Sequence, residues 1–205
     1  EGILEETIIL FFSDNGPVFD IDPIAQVIAP NLINAKGSTA GLRGSKTSTF
    51  EGGIRVPAVI WWKGVIENAK SDQFFFVQDI LPTLLRASNV NVAETIKFDG
   101  KDKWLNLLKN EIVPPKNAFI GARLIADERA LFNGKWKLRW SKPQLIPVSA
   151  SYSLFDILED PYEKNDLSEE HPQVVDAMKK TLTSYIERDV VGDMNPAHAY
   201  LHGDD

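Results

Sequence analysis

Cysteine is absent from this chain of 205 residues, and histidine and methionine are scarce, with three and two copies. Without cysteine the chain has neither a disulfide nor a thiolate metal site. No apolar run approaches the roughly 20 residues of a membrane-spanning helix, so we expect no membrane partner. The formal net charge of −7 is opposite in sign to that of a nucleic-acid-binding surface, so we expect no nucleic-acid partner. The remaining composition, 43% hydrophobic and 25% charged, is typical of a globular protein with a sizeable core.

The beginning of the chain predicts a strand that leads into a polar loop. Residues 7–12 are apolar or β-branched throughout, which is typical of a strand buried on both faces in a parallel sheet. Asp14 and Asn15 follow where the strand should end, and ligands of open α/β sheets bind at that point. Carboxylate and amide oxygens are ligands that Ca²⁺ or Mg²⁺ prefers, although Asp, Asn and Gly are also common in plain turns. From these residues alone, a metal site and a polar turn both remain open.

The rest of the first half predicts an α/β unit that ends at the Pro114-Pro115 pair, so we expect a first domain over 1–115 and a second over 116–205. Residues 17–40 carry few charges and several prolines, which predicts a long loop. Further elements of this half are predicted in the following segments: buried strands at 58–62 and 74–77, a helix at 79–87 with Pro82 in its first turn, and a short amphipathic helix at 101–109.

Beyond residue 115 the pattern is typical of antiparallel strands. Asn133-Gly134 predicts a two-residue hairpin turn, and 117–123 and 153–157 predict additional strands. After the turn, apolar Trp136, Leu138 and Trp140 alternate with charged residues at 135, 137 and 139, which predicts one buried and one solvated face. A helix is expected from 172 to 188, and its stripe of Val174, Val175, Met178, Leu182, Tyr185 and Ile186 predicts packing against the small sheet.

Several segments, in the same order along the chain, carry a family resemblance. They are 42–58 (LRGSKTSTFEGGIRVPA), 78–85 (QDILPTLL), 98–100 with 104–108 (FDG, WLNLL), 133–138 (NGKWKL), and 154–157 with 160–167 (LFDI, DPYEKNDL). Together they resemble blocks of the type I sulfatases, members of the alkaline phosphatase superfamily, and are most similar to the arylsulfatase B-like group. The resemblance implies an α/β fold in which the C-terminal part of a sulfatase domain is followed by a small antiparallel sheet subdomain packed by a C-terminal helix.

The resemblance also implies roles for three residues. Asp14 and Asn15 match two ligands of the sulfatase Ca²⁺. Lys46 matches the lysine that contacts the sulfate and stabilises the leaving oxygen, so it is the expected catalytic and substrate-binding residue; its alternative is a solvated surface charge. Two ligands are too few to hold Ca²⁺ tightly, so we expect weak or no binding by this chain alone.

The nucleophile of the family has no counterpart here. Sulfatases make formylglycine from Cys or Ser in a C/S-x-P-x-R motif of the N-terminal half. The nearest match, at 141–145 (SKPQL), has leucine where arginine is required. The resemblance therefore covers the C-terminal portion of a sulfatase, with formylglycine expected only in a missing N-terminal half, and the chain is expected to be inactive alone.

Other charged residues are interpreted as structural. Glu51 and Arg55, four positions apart, predict an ion pair that shapes a turn, and Asp79 predicts a helix cap. Asp156 and Asp160 predict turn residues. For Arg43, a functional role and the pinning of a loop through backbone carbonyls are both open. We interpret His198 and His202 as part of a frayed chain end rather than as a metal site.

Three functions remain open at this stage. The first is the C-terminal part of a sulfatase acting on sulfate esters, in the periplasm, the lysosome or outside the cell by family resemblance. The second is a part of a related phosphate mono- or diester or phosphonate hydrolase. The third is a noncatalytic chain, which predicts an exposed apolar surface and either self-association or an N-terminal half as partner.

Overall fold

A computed structural model describes residues 2–18, 37–93, 95–123, 126–144 and 146–188. Two strands, β1 (Ile8–Phe12) and β2 (Ala58–Trp62), form one sheet. Four strands form a second sheet in the order β3 (Lys116–Arg123), β4 (Ala126–Asn133), β5 (Trp136–Pro143) and β6 (Ser151–Asp156). The helices are α1 (Glu51–Ile54), α2 (Ile80–Ala87), α3 (Trp104–Lys109) and α4 (Pro172–Arg188). In the described part of the chain, no helix is long and apolar enough to cross a membrane.

The environment predicted for the first two strands is wrong, although both strands exist. β1 pairs with β2 in antiparallel register, from Ile8 opposite Trp62 to Phe12 opposite Ala58. Neither strand is buried on both faces, since Phe11 is 74% and Val59 59% exposed. An apolar run shows that a strand can be buried, but burial also requires neighbouring elements. Within the described residues, β1 and β2 have only each other as paired neighbours.

The strand predicted at 74–77 is also wrong. Its aromatic side chains pack on the face of β4, where the Phe76 and Phe132 rings lie with centroids 5.5 Å apart. A 3₁₀ turn, Val77–Asp79, follows and leads into α2. The apolar residues are therefore explained by side-chain packing onto the sheet and not by pairing of the backbone. The helices predicted at 79–87 and 101–109 are present, as α2 and α3.

The four-stranded antiparallel sheet and its helix are confirmed. Asn133 lies opposite Trp136, so the two-residue turn between β4 and β5 consists of Gly134 and Lys135, with Gly134 at φ +64. One face of the sheet presents Leu131, Leu138 and Leu154 to α4. Met178 and Leu182 of the predicted helical stripe complete this buried cluster.

The opposite face of the sheet is buried as well, which corrects the solvated face predicted for β5. Ala130, Phe132 and Phe155 form its apolar part, against which Phe50 and Ile54 pack. Lys137 is 0% exposed and Arg139 7%. The lysine and arginine of β5 are covered because the segment at 48–54, which contains α1, lies on this face.

Candidate active site

Glycines let the loop after β1 contact the segment before β2 at very close range. The Gly16 N–H donates to the Gly53 carbonyl oxygen at 2.8 Å, and a Cβ at Gly16 would lie 1.8 Å from the Gly52 carbonyl oxygen. A Cβ at Gly52 would lie 2.4 Å from the Gly44 carbonyl oxygen. Only glycine permits this separation of backbones. Residues 13–16, 42–48 and α1 are therefore held together by main-chain contacts.

Asp14 and Asn15 lie at the mouth of a cleft, in a turn held by local hydrogen bonds. The Asn15 backbone N–H donates to Asp14 Oδ1 at 2.9 Å, and the Ser13 hydroxyl donates to the Asn15 carbonyl oxygen at 2.9 Å. The Asn15 side-chain amide nitrogen donates to the Gly16 carbonyl oxygen at 2.9 Å, which leaves the amide oxygen for another partner. The turn interpretation is thus satisfied, and it does not compete with a metal role because oxygens of both side chains remain accessible.

Lys46 lies in the same cleft, with its backbone fixed and its side chain exposed. Its N–H donates to the Pro17 carbonyl oxygen at 2.9 Å, which ties it to the segment that carries Asp14 and Asn15. The next residue, Thr47, has φ +74, a value that β-branched residues rarely adopt. Unusual backbone angles of this kind concentrate at functional sites. The structure therefore brings together the three residues singled out from the sequence.

The cleft has a volume of about 810 Å³ and is bordered by both sheets. Arg55 and Arg123 contribute further positive charge to its lining beside Lys46, and Asp14 and Asp72 contribute negative charge. Such a lining suits an anionic group bound together with a cation. This volume lies within the range of about 300–1,000 Å³ that is typical of small-molecule sites.

A buried triad of charged side chains, which was not predicted from the sequence, adjoins the cleft. Lys137 Nζ lies 2.8 Å from Glu51 Oε1 and 2.7 Å from Glu163 Oε1, and all three side chains are at most 6% exposed. The other Glu163 oxygen accepts the Glu51 backbone N–H at 2.6 Å. The triad joins three of the family-like blocks, at 42–58, 133–138 and 154–167. Each block contains one of these charged residues, which could have drawn attention to them. No single block, however, indicates that the three side chains pair with one another.

A second polar cluster docks the same segment onto the sheet. Glu128 accepts the Thr49 backbone N–H at 2.8 Å, and Arg139 Nη2 lies 2.5 Å from Glu128 Oε1. Arg139 Nε also donates to the Thr49 hydroxyl at 3.0 Å. The guanidinium lies 3.5 Å from the centroid of the Phe50 ring. Because the interactions are charge-assisted and buried, this cluster fixes the chain just after Lys46.

The remaining charged residues have the structural contacts expected of them. Arg55 lies 3.8 Å from Glu51, which confirms their ion pair, although Lys137 is the closer partner of Glu51. Arg43 donates to the Glu163 carbonyl oxygen at 2.9 Å, as expected of an arginine that pins a loop through a backbone carbonyl. Asp79 accepts the N–H groups of Phe76 and Lys101, and its bond to Phe76 caps the 3₁₀ turn (Val77–Asp79) that leads into α2. Asp156 and Asp160 accept turn N–H groups, as predicted.

Burial raises the pKa of Glu163, although the nearby Lys137 ammonium acts in the opposite direction. A raised pKa in the folded state means that stability is greatest below the usual value near 4.5 and declines as pH rises through the folded pKa. Glu163→Gln is expected to remove this decline, which is at most about 1.4 kcal/mol per pH unit. Urea unfolding at a series of pH values from about 4.5 upward measures it.

Asp166→Asn is the control, because the pKa of Asp166 is shifted in the opposite direction to that of Glu163. Burial of Asp166 acts to raise its pKa, but N–H donors from Leu154 and Ser168 outweigh burial and lower it. Its stabilising effect is therefore present above the usual value of 3.8 and is lost as pH falls. A pH dependence unchanged in Glu163→Gln would contradict the assignment to Glu163.

The donor set at the cleft suits a hard divalent cation but is small. Asp14 and Asn15 offer one carboxylate and one amide oxygen, whereas Ca²⁺ takes six to eight oxygens. Among the described residues no group of three or more His, Asp or Glu side chains is arranged to hold a metal. His198 and His202, and most of the loop expected at 17–40, lie outside the described residues. The metal and catalytic roles of Asp14, Asn15 and Lys46 stay predictions, as does the division at residue 115.

Comparison with known proteins finds similarity to sulfatases. Residues 1–90 match the Sulfatase family model. N-acetylgalactosamine-6-O-sulfatase of Bacteroides thetaiotaomicron is 28% identical over 192 residues, 89% of this chain and 37% of the relative. Bovine arylsulfatase A is 28% identical over 203 residues, 87% of this chain and 38% of the relative. These matches support a sulfatase fragment of the alkaline phosphatase superfamily, and the fold is consistent with the C-terminal portion of a sulfatase.

The solved structures agree with this assignment. A structure from a study of glycosaminoglycan metabolism by Bacteroides thetaiotaomicron superimposes with a TM-score of 0.64 at 26% identity and covers 91% of this chain. It is matched over 39% of its own length. The chain therefore spans about two-fifths of the relatives to which it is similar.

Proposed function

We propose that the chain is the part of a metal-dependent sulfatase that supplies the sulfate-contacting lysine and two metal ligands. The observation that carries the proposal is the placement of Asp14, Asn15 and Lys46 around one cleft by the Gly16 and Pro17 contacts. Lys46 would bind the sulfate and stabilise charge on the leaving oxygen, because an ammonium is well suited to an oxyanion. Asp14 and Asn15 would hold Ca²⁺, whose chemistry is to orient the ester and neutralise its charge.

The proposal places the nucleophile outside this sequence. The chain has no cysteine, and the 141–145 segment lacks the arginine of the formylglycine motif. It also spans only about two-fifths of its relatives. The partners are accordingly a sulfate ester in the complete enzyme and an N-terminal half that completes the site. The exposed Phe11, Val59 and Val77 support such a contact, or self-association in its absence. Catalytic incompleteness of the chain alone and a periplasmic, secreted or lysosomal location belong to the same proposal.

The first experiment is peptide-mapped mass spectrometry of the natural polypeptide that contains this sequence. A longer chain with a C/S-x-P-x-R peptide carrying the formylglycine mass change would support the sulfatase. A longer chain with an unmodified Thr or Ser nucleophile would favour the phosphate or phosphonate hydrolase. A natural product no longer than these residues would favour the noncatalytic chain and overturn the proposal.

Replacing Lys46 tests the chemistry in the same natural protein. Lys46→Ala is expected to lower kcat for an aryl sulfate about 10²- to 10³-fold, because one preformed contact to the developing oxyanion is lost. The matched control is Lys109→Ala, an exposed lysine in the last turn of α3 and away from the cleft. Unfolding free energies of both variants should stay near that of the parent. An equal effect of the two replacements on kcat would contradict the assigned role.

A further inference from the structure

Two basic residues border a groove that continues from the cleft along the end of the small sheet. Arg123 on β3 lies opposite Asp127 on β4, which lies opposite Lys142 on β5. Directly opposed residues of an antiparallel sheet project to the same side. Arg123, Asp127 and Lys142 are therefore neighbours in one row, with the carboxylate between the two cations.

The central carboxylate, that of Asp127, is already neutralised by a cation outside this row. Asp127 forms an ion pair with Arg129, whose side chain is only 6% exposed. Arg123 and Lys142 are both exposed, and within the described part of the chain neither side chain takes part in a hydrogen bond or ion pair. In a chain of net charge −7, the row therefore presents two cations without anionic partners.

The groove beside the row has a volume of about 560 Å³ and an apolar wall. Ile146, Pro147 and Val148 form this apolar part of the lining, which Arg123 and Lys142 share, and Ile146 is 57% exposed. Arg123 also lines the cleft that holds Lys46 and Asp14, so cleft and groove share a border. A ligand that reaches from one to the other would pass this arginine.

We propose that the groove is a second anion-binding subsite, which takes the sugar unit next to the one whose ester lies at Lys46. The ligand class is an oligosaccharide with a further sulfate or carboxylate group. Arg123 and Lys142 would pair with that group, and the aliphatic wall would contact the C–H face of the ring. This inference rests on the proposed sulfatase function and adds to it a preference for polyanionic chains over small esters.

The test compares two substrates in the natural protein, a sulfated oligosaccharide and the monosulfated 4-nitrophenyl sulfate. Arg123→Gln and Lys142→Gln are each expected to raise KM for the oligosaccharide about threefold to tenfold, and the double variant further. For Lys142→Gln, KM for the aryl sulfate and kcat for both substrates should change less than about twofold, because Lys142 lines the groove but not the cleft of Lys46. Lys180→Gln, an exposed lysine of α4, is the matched control.

The outcomes separate this inference from the proposed function. Turnover of the aryl sulfate with an oligosaccharide KM that the two variants leave unchanged would overturn the subsite and leave the sulfatase assignment standing. Absence of turnover with either substrate would count against the sulfatase function. In that case calorimetric binding of the same oligosaccharide decides: weaker binding by Arg123→Gln and Lys142→Gln than by Lys180→Gln supports the subsite, and equal or undetectable binding overturns it.

Discussion

Lys137→Met is expected to destabilise the protein by about 3–5 kcal/mol, among the largest effects of any single replacement here. The side chain is 0% exposed and lies within 2.8 Å of two carboxylates, Glu51 and Glu163. Methionine keeps much of the volume but leaves the two acids facing each other in a buried site. Removal of one partner from a buried ion pair costs more than the pair contributes, because an uncompensated charge remains.

Lys135→Met is the matched control for Lys137→Met. Lys135 lies two residues earlier and pairs with Asp156 at 2.6 Å, but its side chain is 49% exposed. Because the lysine of this pair is solvated and Asp156 keeps the N–H donors of Leu158 and Glu159, loss of the pair costs about 1 kcal/mol or less. Unfolding free energies from urea titration measure both variants. Equal losses in the two variants would show that the triad is not electrostatically critical.

A second variant distinguishes charge from packing at Lys137. Adding Glu51→Gln and Glu163→Gln to Lys137→Met removes both uncompensated acids, and we expect it to recover part of the lost stability. Replacement of a whole buried ionic group is often far less costly than removal of one member. A triple variant less stable than Lys137→Met would indicate that hydrogen bonding by the acids, such as the Glu163 bond to the Glu51 N–H, dominates.

The triad also explains where interpretation of the sequence succeeded and where it failed. The hairpin at Asn133-Gly134, the strands around it and α4 were predictable because turn chemistry and periodicity are local signals. The alternation on β5 was equally clear, and it gave the wrong environment for Lys137 and Arg139. The segment that covers them lies far along the chain: Glu51, a partner of Lys137, is 86 residues away, and Thr49, which accepts from Arg139, is 90 residues away. A local pattern cannot distinguish a solvated cation from one that a distant segment covers.

The first sheet shows a second limit of sequence interpretation, in the opposite direction: residues expected to be buried are exposed. The run at 7–12 correctly predicted a strand, but its burial requires neighbours that a pattern cannot supply. In the structure it has β2 alone beside it among the described residues, and Phe11 is left 74% exposed. The resemblance, by contrast, brought Asp14, Asn15 and Lys46 to attention, and all three border one cleft. What the sequence could not indicate was how they are held together, because that depends on main-chain contacts between glycines.

Gly16→Ala is expected to disrupt those contacts and to lower the unfolding free energy by about 3 kcal/mol or more. The added Cβ would lie 1.8 Å from the Gly52 carbonyl oxygen, and the atom it meets is backbone, which cannot move aside as a side-chain end can. Either the Gly16 N–H bond to Gly53 breaks or α1 shifts. Both changes would move Asp14 and Asn15 away from Lys46, so the sulfatase activity that we propose for the natural protein should fall more steeply than stability.

Gly64→Ala isolates the steric cause in Gly16→Ala. Gly64 has φ +73 and nothing within 4 Å of an added Cβ, so its replacement carries backbone strain without a clash. That strain costs about 1–2 kcal/mol. Thermal and urea unfolding of the two variants, with kcat and KM for an aryl sulfate, measure both effects. A Gly16→Ala protein as stable and active as Gly64→Ala would mean that the loop after β1 can separate from α1 without consequence. The close glycine packing would then be incidental to the cleft. A selective loss in Gly16→Ala would instead identify that packing as what holds Asp14 and Asn15 near Lys46.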